Sequence, residues 1–179
     1  MIVNILNAIT LSRILCAILI YFFLFLESQY LLALLLFGIA SFSDFVDGYV
    51  ARKTNNVSVL GEILDPIADK LLIVFVLIGL SINLDSFLIG FISAVIISRE
   101  VWVAALRDIN ARNNQSDKTK VTFLAKTKTA IQMLVILIYL FGLTLNNMMI
   151  LFFADIVLII ALLITIQTGF QYTISTFKK

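Results

Sequence analysis

Apolar residues fall into six stretches separated by short polar breaks: Ile5 to Leu26, Tyr30 to Val50, Ile63 to Ile82, Phe87 to Leu106, Leu124 to Leu145 and Met148 to Ile166. Each is long enough to cross a bilayer as a helix. The pattern therefore predicts an all-α, polytopic membrane protein with six transmembrane helices, its residues 1–179 forming a single integral-membrane domain. The first stretch is the least uniform. Its opening half, ILNAITLSR, carries Asn7, Thr10, Ser12 and Arg13 at helical spacing, so an interfacial segment is expected over about residues 1–13. No small-residue cleavage pattern follows, and the stretch reads as an anchor rather than a removed signal peptide.

Composition sharpens this picture. With 61% hydrophobic and 13% charged residues and a mean hydropathy of +1.09, the chain is too apolar for a soluble globular domain. A net charge of +2 gives no reason to expect a nucleic-acid partner. The distribution of the basic residues says more. The breaks around Glu27, Asp85 and Asn146 hold no lysine or arginine, whereas the other ends hold Arg52, Lys53, Arg107, Arg112, Lys118, Lys120, Lys126, Lys128, Lys178 and Lys179. Basic residues near span ends stay on the cytoplasmic side, so both termini are expected there. Cys16 stands alone, which excludes a disulfide within the chain, and reads as packing. There is no histidine, so carboxylates must carry any acid–base or metal chemistry.

The stretch Ser43 to Lys70 holds Asp44, Asp47, Asp65 and Asp69 at the expected cytoplasmic ends of two spans. Four carboxylates at mid-bilayer would cost about 10 kcal/mol, so something must compensate them. Asp44 and Asp47 are three apart and Asp65 and Asp69 four apart. Each pair therefore shares a helix face, and an antiparallel hairpin would bring the faces together. An all-oxygen donor set suits Mg²⁺, Mn²⁺ or Ca²⁺. Two such ions about 4 Å apart can clamp the attacking and leaving oxygens of a phosphoryl displacement. At a bilayer face, the fitting substrate is a diphosphate with a lipid at its other end. Gly48, Ala51 and Gly61 extend the same faces and admit a nucleotide or another helix closely. Pro66 either interrupts a helix, freeing the carbonyl of Glu62, or marks a first turn capped by Asp65. Arg52 reads equally as a phosphate contact and as a topology signal, and Lys53 reads as a topology signal.

Asp44, Asp47, Gly48, Ala51, Arg52, Gly61, Asp65 and Asp69 reproduce the pattern D-x2-D-G-x2-A-R-x8-G-x3-D-x3-D. In this the chain resembles the CDP-alcohol phosphatidyltransferase family. The resemblance implies that family's fold, a catalytic domain in a bacterial-type cell membrane, and attack of an alcohol hydroxyl on the lipid-side phosphorus of a CDP-linked lipid, expelling CMP. It implies that Asp44, Asp47, Asp65 and Asp69 hold two ions, Mg²⁺ or Mn²⁺, with Asp69 also the general base. Gly48, Ala51, Arg52 and Gly61 would line the CDP pocket, Asn7, Thr10 and Arg13 would border it, and the chain would form a homodimer among membrane lipids. The segments NILNAITLSR, SREVWVAALRD and AKTKTAIQM resemble the branch of the family that joins CDP-diacylglycerol to sn-glycerol 3-phosphate. Two departures, Leu6 where relatives carry proline and Thr127 where they carry an aromatic residue, leave inositol phosphate, serine or phosphatidylglycerol open as acceptors.

A phosphorylated acceptor needs cations, and Arg99 within the fourth span is an unusual place for a guanidinium. Arg99, Arg107, Lys126 and Lys128 are the candidate acceptor-phosphate residues. The competing reading of Arg99 is an internal ion pair, with Glu100 or a neighbouring span; that of the other three is topology. Asp155 is expected to be interfacial or a helix partner, Trp102 to pack or meet lipid, and Lys118 and Lys120 to face water or headgroups. Acidic residues in adjacent spans also fit a small cation channel or transporter, but their gathering at one end speaks against a path along the spans.

Overall fold

The computed structural model describes residues 2–26, 29–54, 59–119 and 123–178, with side chains described except at 2–7, 44–54, 59–60, 62–63, 116 and 123–126. The described chain is helical throughout: α1 (Ile2–Phe25), α2 (Tyr30–Thr54), α3 (Val59–Asn83), α4 (Phe87–Arg112), a 3-10 turn (Ser116–Thr119), α5 (Phe123–Thr144) and α6 (Met148–Phe177). Helices answer the bilayer's central demand, because every backbone N–H and C=O is satisfied within the segment. Ser93, Thr165, Thr173 and Thr176 hide their hydroxyls the same way, each donating to the carbonyl four residues earlier. Among the described residues, four helical stretches are long and apolar enough to cross a membrane, Ala8–Phe25, Phe87–Arg112, Thr127–Thr144 and Met148–Phe177, and Tyr30–Ser43 is a shorter apolar one.

The breaks are built from residues that tolerate left-handed backbone. Asp85, Asn114 and Asn146 have φ of 45°, 57° and 48°. Short polar side chains lower the cost of that conformation. Ser86 then caps α4 by accepting from the Ile89 N–H, and Asn147 caps α6 by accepting from Met149 and Ile150.

Among the described residues the helices follow one another round the bundle as α1, α2, α5, α6, α4, α3, with α3 also touching α5. Contacts Thr10 to Asp65, Arg13 to Asp69 and Leu24 to Asn83 rise together in number, so α1 and α3 run parallel. Arg99 to Thr168, Trp102 to Thr173 and Asn110 to Thr176 make α4 and α6 parallel likewise. Between α1 and α3 the core includes Ile20, Leu24, Leu72, Val76 and Leu80, all fully buried. A Cβ on Gly79 would lie 2.7 Å from Leu24 Cδ1, so this glycine sets how closely α1 and α3 approach. Asn83 ties that end together, donating to the Leu24 carbonyl at 2.7 Å and to the Tyr30 hydroxyl at 3.0 Å.

Several expectations change. Among the described residues α2 packs on α1 and α5, and the end of α2 that the expected hairpin would bring to α3, with Asp44 and Asp47, has its side chains outside the described residues. Pro66 lies inside α3, so Asp65 is not a cap. α6 continues eleven residues beyond the Ile166 expected from hydropathy, because its last turns pack on α4 and the 3-10 turn. Lys118, partly exposed, also donates its ammonium to the carbonyls of Thr176 and Lys178 at the end of α6. Asp155 is a helix partner, accepting from the Tyr139 hydroxyl.

Candidate active site

Parallel pairing of α1 with α3 brings the starts of both helices together. Thr10, 2% exposed, donates to Asp65 Oδ1 at 2.6 Å. One turn on, Arg13 Nη1 meets Asp69 Oδ1 at 2.8 Å, with the arginine side chain fully buried. The two polar residues expected at the interface are thus turned inward, each orienting one aspartate. Charge-assisted bonds of this kind fix a carboxylate more firmly than a neutral contact would. Asp65 and Asp69 lie one helical turn apart, so their oxygens share a face, and an oxygen-only donor set of this kind fits a hard divalent cation. Asn7, Asp44, Asp47, Gly48, Ala51, Arg52 and Lys126 have side chains outside the described residues. Gly61 lies in the first turn of α3.

Asp69 opens onto a cavity of about 490 Å³ that is also lined by Pro66, Lys70, Arg99, Glu100, Arg107, Lys128 and Gln132. Three of the four candidate acceptor-phosphate residues therefore share one space with Asp69. They come from α4 and α5, whose polar ends meet there because α4 points toward this end of the bundle and α5 starts from it. Arg99 is held from several sides: Nη1 donates to Glu100 Oε1 at 2.8 Å, Nη2 to Thr168 Oγ1 at 2.9 Å, and its guanidinium lies 5.7 Å from the Tyr172 ring centre. Arg107 lies 5.6 Å from the same ring. Gly169 makes room for this, since a Cβ there would stand 3.0 Å from Arg99 Cγ.

Glu100 is the residue that sequence reasoning left in the background. Its carboxylate accepts from both Arg99 and Lys128, and Lys70 Nζ stands 3.8 Å away. Arg99 is accordingly ion-paired, as its competing reading held, and lines the cavity as well. Tyr172 was also missed as part of the site, and Arg13, expected beside the nucleotide, pairs with Asp69 instead. Thr10 and Arg13 at spacing three, and Thr165, Thr168, Gly169 and Tyr172 at helical spacing, are the signals that pointed to them.

The family model described as CDP-alcohol phosphatidyltransferase matches residues 3–167. The chain belongs to the CDP-alcohol phosphatidyltransferase family. Its similarity to curated relatives runs nearly end to end. It is 40% identical over 172 residues to the CDP-diacylglycerol–glycerol-3-phosphate 3-phosphatidyltransferase of Rickettsia bellii, covering 94% of this chain and 93% of the relative. The enzymes of the same name from Rickettsia felis and Haemophilus influenzae are 38% and 36% identical, covering 94% and 86% of this chain and 93% and 81% of theirs. As a CDP-alcohol phosphatidyltransferase the chain is an integral-membrane enzyme of a family that uses divalent metal ions. A channel or transporter is set aside by that membership.

Proposed function

We propose that this CDP-alcohol phosphatidyltransferase transfers the phosphatidyl group of CDP-diacylglycerol to sn-glycerol 3-phosphate, giving phosphatidylglycerophosphate and CMP. The observation that carries the reading is the meeting of Asp69 with Arg99, Arg107 and Lys128 on one cavity. A phosphate held by those cations puts the acceptor's hydroxyl within the space that Asp69 also lines. The names of the relatives agree with this acceptor.

In this reading Asp44, Asp47, Asp65 and Asp69 hold two divalent ions, Mg²⁺ or Mn²⁺, which when bound neutralise the diphosphate and favour departure of CMP. Thr10 and Arg13 keep Asp65 and Asp69 in register for that task. Asp69 takes the proton of the acceptor hydroxyl, directly or through one water. Gly48, Ala51, Arg52 and Gly61, bordered by Asn7 and Thr10, receive the cytidine diphosphate. Arg99, Arg107, Lys126 and Lys128 bind the acceptor phosphate and set its distance from the reacting phosphorus. The chain crosses the membrane six times as one catalytic domain over 1–179, with termini and active site on the cytoplasmic side of a bacterial-type cell membrane, and works as a homodimer.

The test is CMP release from CDP-diacylglycerol by purified protein in detergent with Mg²⁺ or Mn²⁺, offering glycerol 3-phosphate, inositol phosphate, serine and phosphatidylglycerol separately. Release with glycerol 3-phosphate alone, lost on chelation and reduced at least about 100-fold in Asp69→Asn, is the expected result. Release with another acceptor alone would overturn the acceptor assignment.

A further inference from the structure

The cations of the cavity converge on a position that the protein itself fills. Arg99 and Lys128 donate to the same oxygen of Glu100, and Lys70 lies 3.8 Å from the other, so groups from α3, α4 and α5 surround one carboxylate. The Glu100 side chain is 18% exposed and lines the same cavity as Asp69. Asp69 is engaged from the α1 side by Arg13. Among the described residues, Glu100 is therefore the carboxylate that compensates Lys70, Arg99 and Lys128. Arg107 takes no share in this ion-pair cluster: it lies against Tyr172, and its buried Nε has no hydrogen-bond partner.

Guanidinium and ammonium groups gathered on a two-oxygen anion are arranged as they would be for a phosphate monoester, because carboxylate and phosphate present similar acceptor geometry to arginine. We propose that the Glu100 carboxylate is a stand-in for the acceptor's phosphate, holding Lys70, Arg99 and Lys128 in position and giving way when a phosphate monoester enters. The inference rests on the phosphatidyl-transfer reading and deepens it. Glu100 is a positioning residue, and it also sets specificity. A neutral alcohol brings no charge to replace the carboxylate, so it leaves the internal pairs intact. A phosphate dianion replaces them and engages Arg107 in addition.

Glu100→Gln in the purified full-length protein tests this with inorganic phosphate and glycerol 3-phosphate as probes. In phosphate-free buffer the variant should unfold at a lower temperature than wild type. Inorganic phosphate should raise its unfolding temperature more than that of wild type. The KM for glycerol 3-phosphate should fall by about threefold or more, because no internal competitor remains, while the KM for CDP-diacylglycerol holds. Equal stabilisation of both proteins by phosphate, or an unchanged or higher acceptor KM, would overturn the proposal. A parallel fall in the lipid KM would overturn it too, by assigning the displaced anion to the lipid diphosphate. So would failure of the variant to fold with phosphate present throughout purification, since phosphate would then not replace the carboxylate. Absence of CMP release in wild type would instead refute the transfer reading, and the comparison of phosphate stabilisation would still decide the role of Glu100.

Discussion

At the scale of single residues, Arg13 does two things at once. Its buried guanidinium compensates Asp69 within the bundle, and it fixes one carboxylate oxygen of the group proposed to act on the acceptor. Arg13 is fully buried and gives Asp69 a charged hydrogen bond, so Arg13→Ala is expected to cost about 1.5–3 kcal/mol. Thermal unfolding in detergent measures this, and a variant as stable as wild type would contradict it. Arg13→Lys keeps the charge and loses the planar fork. It should recover most of the stability and less of the CMP-release rate, which separates orientation of Asp69 from mere compensation. The aspartates themselves were legible in the sequence because carboxylates among apolar residues are costly and their spacing was fixed. The partners were not. Whether Thr10 and Arg13 face headgroups or Asp65 and Asp69 depends on the rotation of α1 against α3, which a hydropathy pattern does not encode.

At the scale of elements, α6 is the wall on which the acceptor cations rest. Thr168, Gly169 and Tyr172 present a hydrogen-bond acceptor, a gap and an aromatic face to Arg99, and the same ring serves Arg107. Thr168 turns its own hydroxyl proton back to the Ile164 carbonyl, which leaves its oxygen available to accept from Arg99. Gly169→Val would drive side-chain atoms into Arg99, whose Cγ would already lie 3.0 Å from a Cβ. Overpacking of this kind costs about 1–3 kcal/mol, and here it should appear as a higher KM for glycerol 3-phosphate with little change in the KM for CDP-diacylglycerol. An equal rise in both would mean that α6 shapes the whole bundle rather than the acceptor side. The end of α6 was set too early by hydropathy because its last turns carry threonine, glutamine and tyrosine. Those residues stay helical by packing on α4, a tertiary cause that propensity does not register.

At the scale of the molecule, alternating helix direction gathers the starts of α1, α3 and α5 and the ends of α4 and α6 at one end, while the far end holds the polar turns around Asp85 and Asn146, which carry no lysine or arginine. The basic residues mark the same end, and that is the ground for proposing that it faces the cytoplasm. In a Cys16→Ala background, a membrane-impermeant maleimide applied to intact cells should label Met148→Cys and not Lys178→Cys; the reverse pattern would invert the proposed topology. Six apolar stretches and a fixed aspartate spacing announced a helical membrane phosphatidyltransferase. The cavity was legible only in part: Arg99, Arg107 and Lys128 were candidate acceptor-phosphate residues, whereas Lys70 and Glu100, within α3 and α4, join them only through the packing of helices far apart in the chain. The cavity is proposed to receive the acceptor phosphate beside Asp69, and Arg107, which belongs to no ion pair among the described residues, is the cation whose removal reads that binding with least disturbance. The measurement is the KM of Arg107→Ala for each substrate in the CMP-release assay. Loss of a charged hydrogen bond predicts a rise of about tenfold or more for glycerol 3-phosphate, with the KM for CDP-diacylglycerol nearly unchanged. An unchanged acceptor KM, or an equal rise for both substrates, would contradict the account.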